Sequence, residues 1–208
     1  MAKLLDEAQA AGRRPRGGAA IVLDLRPVVS LTDEQFYELC RANGELRIER
    51  TAEGEMSIMS PTGGETSRRN AQLIAQLVAW ANQDRTGVSF DSSGGFLLPN
   101  GAIRSPDAAW VRLVAWLKLT EQQKEKFIPL CPDFVVELRS ATDSLQELQA
   151  KMEEYVANGA RLGWLIDPQE RRLYVYRPQA QVEVSDNPET VSGDPALKGF
   201  VLNLQGIW

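Results

Sequence analysis

The stretch Phe134-Val135-Val136-Glu137-Leu138-Arg139 is a compact apolar strand with one carboxylate set inside it. Side chains on a strand alternate between faces, so Phe134, Val136 and Leu138 share one face and Val135, Glu137 and Arg139 the other. A carboxylate and a cation two residues apart on one face is the geometry of an E-x-K catalytic strand. There the carboxylate binds a hard cation, and the neighbouring positive charge holds the attacking water or the scissile phosphate. The same residues also describe a Glu on an edge strand facing water, or a structural Glu–Arg pair.

Upstream, Ser105-Pro106-Asp107 opens a strand over 108–112. Pro106 pushes Ser105 into an extended conformation and leaves Asp107 at the mouth of the strand. From there Asp107 can project toward a neighbouring strand end and share a cation with Glu137. A second pair, Pro132-Asp133, begins the Glu137 strand itself. Four residues along a strand separate Cα atoms by about 13 Å, too far for Asp133 and Glu137 to share one metal easily, which favours Asp107. Taken alone, a Pro-Asp pair commonly marks a turn.

Downstream, a helix is predicted over 143–157, stopping at Asn158-Gly159. It carries Lys151 and Tyr155 one turn apart. Lys151 lies beside the apolar stripe Leu145, Leu148, Met152 and Val156, where a helix meets its sheet. Its ammonium could aim at a phosphate over the sheet edge, or it could snorkel into water.

The remaining elements follow from caps, turns and periodicity. Thr32 with Gln35 forms a capping box for a helix over 33–42, and Thr120 with Gln123 repeats it for a short polar helix. Strands are predicted at 46–49 and 55–60. A long helix follows Pro61-Thr62-Gly63-Gly64, with Leu73, Ile74, Leu77, Val78 and Ala81 on one face. Glu65 opens that helix, where a carboxylate complements the dipole. Segments 88–90 and 96–98 read as a strand pair, and 162–166 with 173–176 as a hairpin. The tail beyond Pro178 reads as loop-rich, with late strands near 182–184 and 200–204. These elements predict an α/β fold, a mixed central sheet flanked by helices.

Bulk properties narrow the chemistry. The 208-residue chain suits one α/β domain and has a net charge of −5, so nucleic acid would have to be met by a local basic patch or a bound cation. With no histidine, Ser-His-Asp and Cys-His catalysis and His-ligated zinc are excluded. Carboxylates, lysine, arginine or a hard metal are left to do any chemistry. Cys40 and Cys131 have no metal-like spacing and read as reduced thiols of a cytoplasmic protein. No apolar run approaches the roughly 20 residues of a membrane span. Residues 1–24, with Arg13-Arg14-Pro15-Arg16, read as a flexible arm, and 25–208 as the folded domain.

Together, the segments 46–61, Ser105-Pro106-Asp107-Ala108-Ala109-Trp110, Val136-Glu137-Leu138-Arg139-Ser140 and Gly163-Trp164-Leu165-Ile166-Asp167-Pro168 resemble the bacterial Uma-two family of restriction-endonuclease-like proteins. The resemblance implies a PD-(D/E)xK nuclease core acting on DNA with Mg²⁺ or Mn²⁺. It assigns Asp107 and Glu137 as the paired metal-binding acids. Lys151 becomes the catalytic lysine, moved from the strand to the following helix. Glu65 stands where related nucleases often carry a further acidic residue. Arg139 replaces the lysine of E-x-K; arginine is permanently charged and cannot act as a base, but it can bind phosphate. A homodimer is expected, since two-fold symmetry is the commonest and suits cutting two strands. The rival expectation is a catalytically inactive binding or structural homo-oligomeric protein on the same scaffold.

Overall fold

A computed structural model describes residues 20–26, 28–59 and 61–208. Most of the predicted arm lies outside the described residues. In chain order the elements are β1 (Ile21–Leu23), α1 (Asp33–Ala42), β2 (Arg47–Arg50), β3 (Met56–Met59), α2 (Gly64–Asp84), β4 (Gly87–Asp91), β5 (Phe96–Leu97), β6 (Ile103–Arg104) and β7 (Ala108–Arg112). There follow α3 (Leu113–Trp116), α4 (Glu121–Lys124), β8 (Phe134–Leu138), α5 (Leu145–Ala157), β9 (Leu162–Asp167), β10 (Arg172–Tyr176), β11 (Glu183–Asp186), β12 (Thr190–Ser192) and β13 (Val201–Asn203). Both predicted capping boxes form, at Thr32/Gln35 and Thr120/Gln123.

The central sheet runs β11-β10-β9-β8-β7-β4. Only β8 and β9 are parallel, with α5 as their crossover, so the sheet is mixed. The alternation read along Phe134–Leu138 sorts its two cores. Phe134, Val136 and Leu138 pack with Leu73, Leu77 and Ala81 of α2. Val135 faces Met152 and Tyr155 of α5. Helices therefore cover both faces of β8, as a mixed sheet flanked by helices requires. Gly163 on β9 lets α5 lie close: a Cβ there would stand 2.4 Å from Met152 Cε.

A second sheet, β1-β3-β2-β6-β5, is wholly antiparallel and packs Ile48, Met56 and Ile103 against Phe36 of α1. Two sequence expectations change here. The predicted pair of 88–90 with 96–98 does not form, because β4 joins β7 in the central sheet while β5 joins β6 in the second. The intervening turn is a crossing point between sheets. Gly95 makes the crossing sterically possible, since a Cβ there would lie 2.4 Å from the Phe127 ring. The tail is also more than loop. It adds β12 to the expected strands, and Leu197, Phe200, Leu202, Leu204 and Ile207 close the α2 side of the core.

Candidate active site

β7 and β8 run antiparallel, with Ala108 opposite Val136, so the start of β7 meets the end of β8. Asp107 stands at that junction. Its Oδ2 accepts a 2.8 Å hydrogen bond from the Leu138 backbone N–H, which fixes the carboxylate beside Glu137. Oδ1 faces Arg47 Nη1 at 3.4 Å, and the same guanidinium donates to the Ser105 carbonyl.

Glu137 is 3% exposed and lies on the α5 side of the sheet. Lys151 Nζ sits 2.9 Å from its Oε1, and the Tyr155 hydroxyl donates to the same oxygen at 3.0 Å. The one-turn spacing of Lys151 and Tyr155 on α5 brings both to this carboxylate. Asp107, Glu137 and Lys151 thus converge, although 44 positions separate the first from the last.

A further residue, which the sequence does not single out, completes the cluster. Glu49 of β2 is also 3% exposed. Its Oε1 accepts from Lys151 Nζ at 2.8 Å and from the Ser105 N–H at 2.8 Å, and its Oε2 faces Arg104 Nη1 at 3.4 Å. The available signal is the alternation of Arg47 and Glu49 on one face of a short strand, the same device that singles out Glu137 and Arg139.

The two buried glutamates are driven in opposite directions. Burial pushes the Glu137 carboxyl up to about 7; Lys151 opposes this, and the Asp107 and Glu49 charges reinforce it. Burial acts the same way on Glu49, but Lys151, Arg104 and Arg47 outweigh it and hold that carboxyl down at about 2. Lys151 stays well charged: burial works against the ammonium, and the Glu137 and Glu49 carboxylates raise it regardless. One lysine cannot fully compensate two acids, and Glu49 has the additional cations.

The other candidates lie elsewhere. The Arg139 guanidinium turns to the end of β9, where Nη1 pairs with buried Asp167 at 2.6 Å and Nε donates to the Asp143 carbonyl at 3.2 Å. Among the described residues no hydrogen bond or ion pair joins it to Glu137. Glu65 is exposed on the first turn of α2, bound to Arg68 at 2.6 Å, and no described contact links it to the cluster. Cys40 and Cys131 are free thiols, and burial pushes them up to about 11 and about 12.

The donor chemistry fits a hard divalent cation. Asp107 and Glu137 offer carboxylate oxygens at one strand junction, and burial, reinforced by the Asp107 and Glu49 charges, raises Glu137 to about 7 despite Lys151. Among the described residues no group of three or more acidic, cysteine or histidine side chains is arranged around a common metal position. Two carboxylates nonetheless suffice for Mg²⁺, which usually completes its shell with water and substrate phosphate. A groove of about 380 Å³ between β3 and α5 opens beside Lys151. Glu49, Glu55, Asp143, Glu147 and Glu154 outnumber Arg104 and Lys151 on its wall, so it repels an anionic backbone unless cations are bound.

A buried glutamate with a lysine and a half-buried aspartate, set where strands of a mixed sheet meet between two helices, is the arrangement expected of the restriction-endonuclease-like class. Residues 33–205 match the Uma2 family, described as "putative restriction endonuclease", and the chain belongs to that family. It is also similar in fold to a crystal structure of a "putative nuclease belonging to DUF820" from Anabaena variabilis. That match has 21% identity and a TM-score of 0.70, and covers 85% of this chain and 97% of the other. No curated protein matches the chain. Among the described residues no helix is long and apolar enough to cross a membrane.

Proposed function

We propose that the protein is a Mg²⁺- or Mn²⁺-dependent endonuclease that hydrolyses DNA phosphodiester bonds. The observation that supports this reading best is the meeting of Asp107, Glu137 and Lys151 at one strand junction, with Glu137 buried. Asp107 and Glu137 would hold the cation, which supplies Lewis-acid stabilisation and an activated water when bound. Leu138 N–H orients Asp107, and the Tyr155 hydroxyl orients Glu137. Lys151, kept charged between two carboxylates, stabilises negative charge on the scissile phosphate. Burial and the neighbouring acids raise the Glu137 carboxyl, and a bound cation would favour its ionised form.

Arg139 takes a supporting role in this reading: it holds the β8 and β9 ends together through Asp167, beside the site. Glu65 is one helix turn of charge and no ligand. A two-fold dimer would let two sites address two strands; a monomer mass by light scattering at micromolar concentration would count against it. The deciding assay incubates chelator-treated protein with supercoiled, linear and single-stranded DNA, with Mg²⁺ or Mn²⁺. Metal-dependent cleavage that vanishes in Glu137→Gln is the expected result.

A specific observation favours the rival, a catalytically silent binding or structural protein. Lys151 and Arg47 already pair with the site carboxylates, so the cluster is closed as it stands. Mn²⁺ binding without cleavage of any DNA form would select that reading.

A further inference from the structure

We propose that Glu49 is the alternate partner of the Lys151 ammonium, receiving it when a divalent cation takes Glu137, and so acts as a positioning residue for metal binding. The inference rests on the metal-site reading above. Lys151 Nζ stands between two carboxylate oxygens at almost equal distance, 2.9 Å from Glu137 Oε1 and 2.8 Å from Glu49 Oε1. Its side chain is only 12% exposed at the wall of the groove, so water replaces a lost carboxylate partner only in part. A cation on Glu137 would cancel the charge Lys151 pairs with and repel the ammonium. Without a second acceptor the result would be a buried, unpaired lysine beside a metal, among the costliest arrangements a protein can hold.

Glu49 is built to receive that charge. The Ser105 N–H donates to it at 2.8 Å, and Arg104 faces it at 3.4 Å while being itself anchored on Glu154 at 2.6 Å. Ser105 is two residues before Asp107, so the backbone that orients Glu49 also carries one of the two metal-binding acids. Burial notwithstanding, its cationic neighbours keep Glu49 ionised. Lys151 already donates to Glu49 at 2.8 Å, so when Glu137 is taken the ammonium keeps Glu49 as its partner with no rearrangement of α5 or β8.

The test is Mn²⁺ titration calorimetry on the full, chelator-treated chain, comparing wild type, Glu137→Gln, Glu49→Gln, Lys151→Met and the double variant Glu49→Gln/Lys151→Met. Wild type binds Mn²⁺ and Glu137→Gln does not; absence of binding in wild type, or equal binding in both, overturns the metal-site reading and this inference with it. With the site established, Glu49→Gln weakens binding on the order of 10-fold, the range of coupling between contacting residues. In the Lys151→Met background the same substitution has no effect, since there is no ammonium left to receive. A loss of equal size in both backgrounds makes Glu49 a through-space charge only and overturns the inference, as does an unchanged affinity in Glu49→Gln. Glu49→Asp guards against a variant that fails to fold. It keeps the charge but withdraws it by one methylene, so weaker Mn²⁺ binding supports a partner of defined position and unchanged binding overturns it.

Discussion

The two ends of the β7–β8 pair carry the same local device and different chemistry. At one end Asp107, preceding β7, accepts the Leu138 N–H of β8 at 2.8 Å. At the other Asp133, preceding β8, accepts the Arg112 N–H of β7 at 2.9 Å. Each follows a proline, and each ties off the neighbouring antiparallel strand. Asp133 then meets one guanidinium, Arg112 Nε at 2.7 Å, which balances its charge. Half-buried Asp107 meets the buried acid Glu137 instead, with Lys151, Glu49 and Arg47 around the pair. A Pro-Asp pair at a strand mouth is thus a structural capping device in itself. What makes one of the two a candidate site is the Glu137 carboxylate at the facing strand end.

That comparison breaks most sharply on activity. Both aspartates have a capping duty, so asparagine, which keeps an acceptor for the strand N–H, is the informative replacement. Asp107→Asn and Glu137→Gln should each lower metal-dependent DNA cleavage on the order of 10³-fold, the several kcal/mol a metal ion contributes to transition-state charge. Asp133→Asn should cleave at the wild-type rate. Equal losses at both ends, in variants that melt normally, would place the chemistry on the wrong aspartate.

How much of the fold and the site is legible in the sequence depends on how local each signal is. Thr32/Gln35 and Thr120/Gln123 announce their helices because a capping box is complete within four residues. The period-2 pattern of Phe134–Leu138 announces both cores of the central sheet. The Val88–Phe90 and Phe96–Leu98 segments mislead because strand propensity does not name a partner: five residues with two glycines serve a hairpin or a crossing equally well. Glu49 stays hidden since Arg47-Ile48-Glu49-Arg50 has the composition of an exposed strand. Only long-range partners, among them Lys151 102 positions away and the Ser105 N–H, reveal it as part of the buried cluster. Arg139 follows the alternation of its strand, yet a long side chain just past the strand end answers to its nearest buried counter-charge, Asp167.

The next contrast concerns metal. A ligand that binds only the folded state stabilises it by about 2.7 kcal/mol at 100 times its dissociation constant. At about 2–4 °C per kcal/mol for a chain of this size, saturating Mn²⁺ should raise the melting temperature of chelator-treated wild type by roughly 5–10 °C. Asp133→Asn should show the same gain and Glu137→Gln almost none. An equal gain in wild type and Glu137→Gln would detach the cation from the Asp107 end altogether.

The pH dependence of the apo protein separates the two ends again, without any metal. Burial raises Glu137 in the folded state from an ordinary 4.5 to about 7, so between these values the folded chain binds more protons than the unfolded one. Stability contributed by this group therefore falls as pH rises through that window and stays low above it. Glu137→Gln removes the titration. Melting curves without metal should find the variant equal to wild type near pH 4.5 and more stable by several degrees above pH 7, at roughly 2–4 °C per kcal/mol. A wild type that gains relative to the variant as pH rises through the window would mean that Lys151 dominates Glu137 and the site lacks no positive charge.

Arg139 offers the finest discrimination, because it directly follows the Glu137 strand but is paired away from Glu137. In the proposed reading its guanidinium joins the ends of β8 and β9 through Asp167, which is fully buried and otherwise held by the Gln169 and Glu170 N–H groups. Arg139→Lys keeps the charge and gives up the planar fork, so contact with the Asp143 carbonyl and with Asp167 cannot both be kept in their present geometry. Losing one such hydrogen bond costs about 1 kcal/mol, or roughly 2–4 °C in melting temperature. Cleavage, measured as kcat and KM separately on a short duplex, should stay near wild type in both parameters. If instead the melting temperature holds and KM rises with the length of DNA offered, Arg139 contacts the phosphate backbone, and the E-x-R strand is a working counterpart of E-x-K rather than a structural pair beside Lys151.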